Sequence, residues 1–254
     1  YRSINIDLIY GLPKQTPESF ARTVEAIIAL KPDRLSVFNY AHLPERFMPQ
    51  RRINSADLPS PAQKLEMFEN SVRQLLAAGY RYIGMDHFAL PDDSLSIAQE
   101  NGELQRNFQG YTTHGHCDLI GLGVSSISQV GDLYCQNSSD LKVYQERLQA
   151  DELATQRGLV CHSDDIIRRA VISQLICHFQ LQFSDIEARF GIDFPEYFAS
   201  CLPMLEQMAR DGLIILTPGG IRVMAAGRLL VRSICMLFDA YQSDTSQQRF
   251  SRII

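Results

Sequence analysis

The sequence lacks the run of about 18 apolar residues that a membrane-spanning helix requires. It also lacks an excess of basic residues, because it has 24 Lys and Arg and 29 Asp and Glu, which gives a net charge of −5. Proteins that bind nucleic acid or an anionic membrane need clustered positive charge. We therefore expect neither nucleic acid nor a membrane as a partner.

Closely spaced cysteine pairs are also absent. The cysteines are Cys117, Cys135, Cys161, Cys177, Cys201 and Cys235. None has the C-x-x-C spacing of zinc or redox sites, and His114 and His116 lack further ligands at metal-binding spacing. This pattern favours reduced structural thiols, a cytoplasmic location and no metal site within the chain. Neither a P-loop nor a G-x-S-x-G motif is present.

The first half of the chain alternates strand-like and helix-like segments. In chain order they are "INIDLIYG", "PESFARTVEAIIAL", "RLSVFNY", "PAQKLEMFENSVRQLLAAG" and "YRYIGMDHFA". This alternation predicts parallel strands with right-handed crossovers, in an open α/β sheet or a piece of a β/α barrel. Thr16 is the predicted N-cap of the first helix, and Gly79 is predicted to follow the end of the second.

The second half is predicted to be mostly helical with one hairpin. Pro218-Gly219-Gly220 separates two apolar runs in "LIILTPGGIRVM", which is a strong hairpin signal. Helices followed by a small hairpin resemble a winged-helix module. We therefore expect one domain over residues 1–152 and a helical C-terminal domain over residues 153–254.

Asp7 is an acid within an apolar strand. A carboxylate on a strand buried on both faces is costly unless it is hydrogen-bonded or meets a polar ligand. It lies near the carboxyl end of its strand, where α/β proteins place active sites, and Asn39 and Ala41 lie at the corresponding end of the next strand. Asp7 is thus either a ligand contact or a cap for a neighbouring backbone group.

Several motifs together resemble one enzyme family. They are "NIDLIYGLPKQT", "PDRLSVFNYAHLP", "YIGMDHFALPDD", "RNFQGYTT", "GLGVSSIS" and "QRFSRII". This set resembles the oxygen-independent coproporphyrinogen III oxidases (dehydrogenases), radical S-adenosylmethionine (SAM) enzymes of haem biosynthesis. "DLIYGLP" is shared with related radical-SAM haem chaperones, whereas "GMDHFALP" and "RNFQGYTT" are more specific to the coproporphyrinogen enzymes. The resemblance runs along the whole chain and corresponds to the C-terminal part of such an enzyme.

The resemblance implies a fold, cofactors and a reaction. The fold is the last strands of a partial six-stranded β/α barrel, followed by a mostly α-helical C-terminal domain with a winged-helix-like hairpin. The cofactors are two SAM molecules and a [4Fe–4S] cluster held by a C-x-x-x-C-x-x-C motif, which is expected upstream of Tyr1 because no cysteines here have that spacing. Radical chemistry removes hydrogen and CO₂ from two propionates of coproporphyrinogen III, giving the vinyl groups of protoporphyrinogen IX.

The resemblance also implies site residues. Asp7, Ile9, Ala41, Gln109 and Ile127 align with positions that contact SAM in the family. No residue of this chain is assigned as a catalytic acid or base. The implied partners are coproporphyrinogen III and an electron donor for the cluster, the implied state is a monomer, and the chain by itself is expected to be inactive. A haem chaperone without decarboxylase activity is the main alternative, and a winged-helix DNA regulator is a weaker one because its candidate helix is acidic.

Overall fold

In the computed structural model, which describes residues 3–241, two parallel strands organise the N-terminal part of the chain. This part forms a compact unit that ends at Glu103, and a second compact unit begins at Leu104. The helices and strands of the first unit are β1 (Asn5–Tyr10), α1 (Pro17–Leu30), β2 (Arg34–Asn39), α2 (Pro61–Ala77), β3 (Arg81–Gly84), β4 (His87–Ala89) and α3 (Ser94–Glu100). The described residues thus form the mixed α/β structure that the sequence predicts.

The sheet of the first unit has the strand order β1-β2-β4-β3. β1 and β2 are parallel, as predicted, with Asp7 opposite Ser36. The prediction of one further parallel strand over "YRYIGMDHFA" was wrong, because this run splits into β3 and β4, and β4 pairs antiparallel to β2. Met85 and Asp86 both have positive φ and form the turn, and the Asp86 carbonyl accepts a hydrogen bond from the Val37 N–H at 2.8 Å.

Local signals place the two long helices of this unit. Thr16 and Ser19 form a reciprocal capping box at the start of α1, and Ser60 and Gln63 form another at the start of α2. Gly79 follows α2 with φ of +90°, a conformation that glycine adopts without steric cost. The predicted caps are confirmed.

The two faces of β1 have different environments. Leu8 and Tyr10 are buried, and the Tyr10 ring packs on Phe20 of α1 and Phe68 of α2. Asp7 is exposed and Ile9 is 45% exposed on the opposite face. Asp7 therefore does not carry the burial cost that the sequence pattern predicts for it.

The second unit contains short strands and several helices. They are β5 (Gln105–Asn107), β6 (Gly110–Thr112), β7 (Ile127–Val130), β8 (Leu133–Asn137), α4 (Leu141–Gln149), β9 (Thr155–Val160), α5 (Ser163–His178), β10 (Gln180–Gln182), α6 (Phe183–Phe190), α7 (Phe194–Tyr197), α8 (Leu202–Arg210), β11 (Ile214–Thr217), β12 (Gly220–Val223), α9 (Ala225–Arg228) and α10 (Val231–Met236). Within the described residues these strands form the sheets β5-β6, β7-β8-β9 and β10-β12-β11.

The helical part of this unit packs around phenylalanines. The rings of Phe183 and Phe194 stack at 4.0 Å, and Phe198 meets Phe238 edge to face at 5.2 Å. The predicted hairpin at Pro218-Gly219-Gly220 is confirmed as β11 and β12, and β10 adds a third strand to it. The predicted domain boundary at 152/153 falls within this unit, between α4 and β9, and stays a prediction.

No helix within residues 3–241 is both long enough and apolar enough to cross a membrane. The motif "QRFSRII" lies outside the described residues.

Candidate functional site

The carboxyl ends of β1 and β2 lie side by side at one edge of the sheet. Tyr10 is paired with Asn39 in the strand register, and the Tyr40 N–H donates to the Tyr10 carbonyl at 2.8 Å. This edge of a parallel pair is where α/β proteins bind ligands. The group of residues made by Asp7, Ile9, Asn39, Ala41 and Lys64 is called the strand-end site below.

Asp7 and Ile9 lie on the uncovered face of β1. An oxygen of the Asp7 carboxylate accepts a hydrogen bond from Asn5 Nδ2 at 2.7 Å. Their neighbours across the strand pair are Ser36 and Phe38. This arrangement places an anionic acceptor next to an exposed apolar side chain, which suits a ligand that carries both hydrogen-bond donors and an apolar ring.

Ala41 follows β2 in a backbone held by side chains. The Ala41 carbonyl accepts a hydrogen bond from Gln50 Nε2 at 3.1 Å. The preceding carbonyl, that of Tyr40, accepts one from Lys64 Nζ at 3.2 Å. The structure therefore places Asp7 and Ile9 on one face of β1, and Ala41 just beyond the end of the paired strand β2.

Lys64 is a member of this site that the motifs did not indicate. It lies in the first turn of α2, where the helix dipole disfavours a cation, so its position needs another explanation. Burial lowers the pKa of its amino group. A Cβ at Gly11 would lie 2.8 Å from Lys64 Cε, and Gly11 has φ of +83°, so this glycine leaves room for the lysine. A cation in the first turn of a helix was the signal that could have pointed to it.

Asn39 presents a buried acceptor at the same place. Its Oδ1 is shielded from solvent and has no hydrogen-bond partner among the described residues. An unpaired buried carbonyl oxygen is costly and often marks a place where a water, an ion or a ligand binds. Tyr10, by contrast, serves the core, because burial raises the pKa of its hydroxyl, and the charge of Asp86 raises it further.

The other predicted contacts belong to the second unit. Gln109 is exposed in the turn between β5 and β6, and its N–H donates to Asn107 Oδ1 at 2.8 Å. Ile127 begins β7 opposite Gln136. A Cβ at Gly121 would lie 2.7 Å from the Ile127 carbonyl oxygen, so only glycine allows this close packing. The structure places Gln109 and Ile127 in two different sheets of this unit.

A cavity of about 1050 Å³ lies within the second unit. Phe108 and Gln129 line it together with Tyr134, and the rings of Phe108 and Tyr134 meet edge to face at 5.3 Å. Ile127 and Gln129 are two residues apart on β7, so their side chains lie on the same face of that strand. The cavity therefore lies on the same side of the β7-β8-β9 sheet as Ile127.

The strand ends and loops present no metal centre. Across residues 3–241, no group of three or more His, Cys, Asp or Glu is arranged to hold a metal ion. His114 instead lies 3.1 Å from the Thr113 hydroxyl through its Nδ1.

Comparison with known proteins gives consistent results along the chain. A family model described as the HemN C-terminal domain matches residues 161–230. The oxygen-independent coproporphyrinogen III oxidase of Pseudomonas aeruginosa is 72% identical over 254 residues, which are 100% of this chain and 55% of that relative. The protein of the same name from Thermostichus vulcanus is 46% identical over 255 residues, which are 100% of this chain and 78% of that relative.

A solved structure agrees with these relatives. Coproporphyrinogen III oxidase (HemN) from Escherichia coli, described as a radical SAM enzyme, superimposes with a TM-score of 0.92 at 55% identity over 95% of this chain and 56% of that one. The chain thus spans a little over half the length of most of the relatives described here. The resemblance seen in the motifs is confirmed, and the chain belongs to the oxygen-independent coproporphyrinogen III oxidase family.

Proposed function

We propose that the complete gene product is an oxidoreductase that converts coproporphyrinogen III to protoporphyrinogen IX in anaerobic haem biosynthesis. The observation that carries this proposal is the 72% identity to an oxygen-independent coproporphyrinogen III oxidase along the entire chain. The geometry supports it, because Asp7 and Ile9 lie on the uncovered face of β1 and Ala41 lies just beyond the end of β2, which pairs with β1. In this proposal the chain supplies part of the SAM site and the C-terminal domain of the enzyme.

The strand-end site has the chemistry that SAM requires. SAM carries an ammonium group, ribose hydroxyls and an adenine amino group, all of which are hydrogen-bond donors. The Asp7 carboxylate is exposed, and Asn39 Oδ1 is a buried acceptor with no partner in the described chain. Ile9 offers an apolar surface on the same face of β1 as Asp7. Within the first unit, Asp7, Ile9 and Ala41 would bind and orient one end of a SAM molecule. Gln109 and Ile127, in the second unit, are separately proposed to contact SAM.

The iron–sulfur cluster is proposed to be held by cysteines outside this chain. The described residues contain no suitable group of metal ligands, so no step of the reaction is assigned to a cluster ligand here. When bound, SAM and the cluster would supply the abstraction of a hydrogen atom from a propionate side chain, which would then lose CO₂ and one electron to become a vinyl group. The residues of this chain bind and position, and the chain by itself is expected to be inactive.

Finer features of the architecture are part of the same proposal. We propose that β1 and β2 are the last strands of a partial six-stranded barrel, and that the sheet β10-β12-β11 with its helices is a winged-helix-like module. The family match that begins at residue 161 supports a separate C-terminal module after residue 152. An electron donor, a monomeric state and a cytoplasmic location complete the proposal, and the absence of disulfides among residues 3–241 suits a reducing compartment.

Genetic complementation tests the proposed activity. The complete gene is expressed without oxygen in a haem-auxotrophic bacterium that lacks its own coproporphyrinogen oxidases. Growth without added haem is the expected result. A protein that binds haem but does not restore growth would instead be a haem chaperone, and the proposal would fail.

A further inference from the structure

Arg106 stands out among the residues that line the cavity of the second unit. It lies on β5 opposite Tyr111 of β6, and its guanidinium carbon is 5.6 Å from the centre of the Tyr111 ring. The Tyr111 hydroxyl donates to the Ile176 carbonyl of α5 at 2.9 Å. The ring on which Arg106 rests is therefore fixed to a helix, and the guanidinium is held at the cavity wall.

Two of the other arginines of the cavity are paired with carboxylates, whereas Arg189 has no ion pair among the described residues. Arg168 is paired with Asp164 at 2.8 Å, and Arg169 is paired with Asp132 at 3.0 Å. Arg189 lies one helical turn after Asp185 on α6, and Asp185 also lines the cavity. Arg106 has no carboxylate within 4.0 Å among residues 3–241. Its charge is therefore available to a ligand.

The cavity suits a large ligand with aromatic character. Its volume of about 1050 Å³ is at the upper end of the range of ~300–1,000 Å³ for small-molecule sites. Phe108 and Tyr134 supply an aromatic wall. Arg106 is two residues before Phe108 and three before Gln109, the residue that the family resemblance places in contact with SAM. A carboxylate bound at Arg106 would thus lie close to the proposed cofactor contacts.

We propose that this cavity receives a propionate-bearing tetrapyrrole and that Arg106 binds one of its carboxylates through a two-pronged ion pair. The planar guanidinium matches the two oxygens of a carboxylate, which a lysine cannot reproduce. This inference rests on the proposed function and adds to it a binding residue for the substrate. It involves binding alone, with no covalent step.

Equilibrium binding to the complete, cluster-loaded protein tests the proposal. The probe is coproporphyrin III, the stable fluorescent oxidised form of the porphyrinogen, and its uncharged tetramethyl ester is the second probe, in dilute detergent. Arg106→Gln is expected to weaken coproporphyrin III binding about ten-fold or more. The coproporphyrin III affinity of Arg106→Lys is expected to lie between those of wild type and Arg106→Gln. The ester is expected to bind wild type and Arg106→Gln equally. SAM affinity is expected to stay unchanged.

Arg210→Gln is the matched control. Arg210 is on α8 and its guanidinium contacts Gln207, away from the cavity lining. An unchanged coproporphyrin III affinity in Arg106→Gln would overturn the proposal, and so would an equal loss for the ester or a parallel loss of SAM affinity. If the wild-type protein converts coproporphyrinogen III while Arg106→Gln binds normally, the inference alone fails. If the wild type neither converts nor binds the tetrapyrrole, the proposed function fails with it.

Discussion

The amino group of Lys64 donates a hydrogen bond to the backbone carbonyl of Tyr40 at 3.2 Å. This bond joins the first turn of α2 to the end of β2, one residue before Ala41. It lies next to Gly11, which directly follows β1. Because this glycine has no side chain, it leaves the space that the lysine occupies. The strand-end site is therefore shaped by a helix residue as well as by the strands.

Replacing Asp7 should weaken SAM binding and leave the iron–sulfur cluster intact. Asp7→Ala in the complete protein removes a carboxylate acceptor, and a hydrogen bond to a charged group contributes about 1.5–3 kcal/mol. We expect about ten-fold weaker SAM binding by calorimetry, with the cluster absorbance unchanged. Asp92→Ala, at another exposed acid of the first unit, is the control. Unaltered SAM affinity in Asp7→Ala would remove this residue from the site.

Gly11→Ala should be more destabilising than Gly102→Ala. Both glycines have positive φ, +83° and +74°, so each alanine suffers backbone strain on the order of 1 kcal/mol. Nothing lies within 4 Å of a Cβ at Gly102, whereas a Cβ at Gly11 meets Lys64 Cε at 2.8 Å. The lysine must move, and its bond to Tyr40 is then lost. Chemical denaturation of the complete protein measures both free energies of unfolding.

A double-mutant cycle separates these causes. In a Lys64→Ala background the collision with Lys64 is gone, so Gly11→Ala should cost less than it does in wild type, and only the contact with Asn39 Oδ1 at 3.3 Å remains. If Gly11→Ala costs the same with and without Lys64, the two residues are not coupled in the way described here.

The stability that Lys64 contributes should rise with pH. Burial lowers the pKa of its amino group below the usual 10.5, so the unfolded chain keeps a proton that the folded protein has lost. Stability therefore increases with pH in the window between the folded pKa and 10.5. The difference in unfolding free energy between wild type and Lys64→Met should shift towards wild type as the pH rises through this window. A flat or opposite trend would contradict this, and Lys142→Met at an exposed position is the control for losing a lysine.

The buried thiols should resist alkylation. Burial raises the pKa of Cys177 to about 12 and that of Cys235 to about 12, whereas Cys117 is exposed. Because the thiolate is the reactive form, iodoacetamide at pH 8 should label Cys117 and leave Cys177 and Cys235 unlabelled until denaturant is added. Mass spectrometry of peptides from native and unfolded protein gives the comparison. Rapid labelling of Cys177 in the native protein would show that this helix is not packed as described.

Local features were predictable from the sequence, whereas features set by distant pairing were not. The caps at Thr16 and Ser60 and the hairpin at Gly219 depend on neighbouring residues, so their signals are complete in a short window. The run "YRYIGMDHFA" splits into two strands at a turn whose backbone carbonyl, that of Asp86, accepts a hydrogen bond from the backbone N–H of Val37. Val37 lies far away in the chain. No periodicity in that run could show it.

In the candidate site, too, the features set by local patterns were predictable and those set by packing between distant segments were not. Asp7 and Ile9 share one face of a strand by simple alternation, and their clustering with Ala41 follows from parallel pairing. The burial expected for Asp7 was wrong because the rule assumes cover on both faces of a parallel sheet. Lys64 could not be connected with Tyr40, 24 residues earlier, without knowing how α2 packs on the sheet.

The most direct test of the central claim is anaerobic turnover by the complete, cluster-reconstituted protein. Coproporphyrinogen III, SAM and a reductant are supplied, and tetrapyrroles are separated by chromatography after oxidation. The account predicts conversion of coproporphyrinogen III to protoporphyrinogen IX that depends on SAM. A protein with an intact cluster that cleaves SAM yet leaves every propionate in place would contradict it.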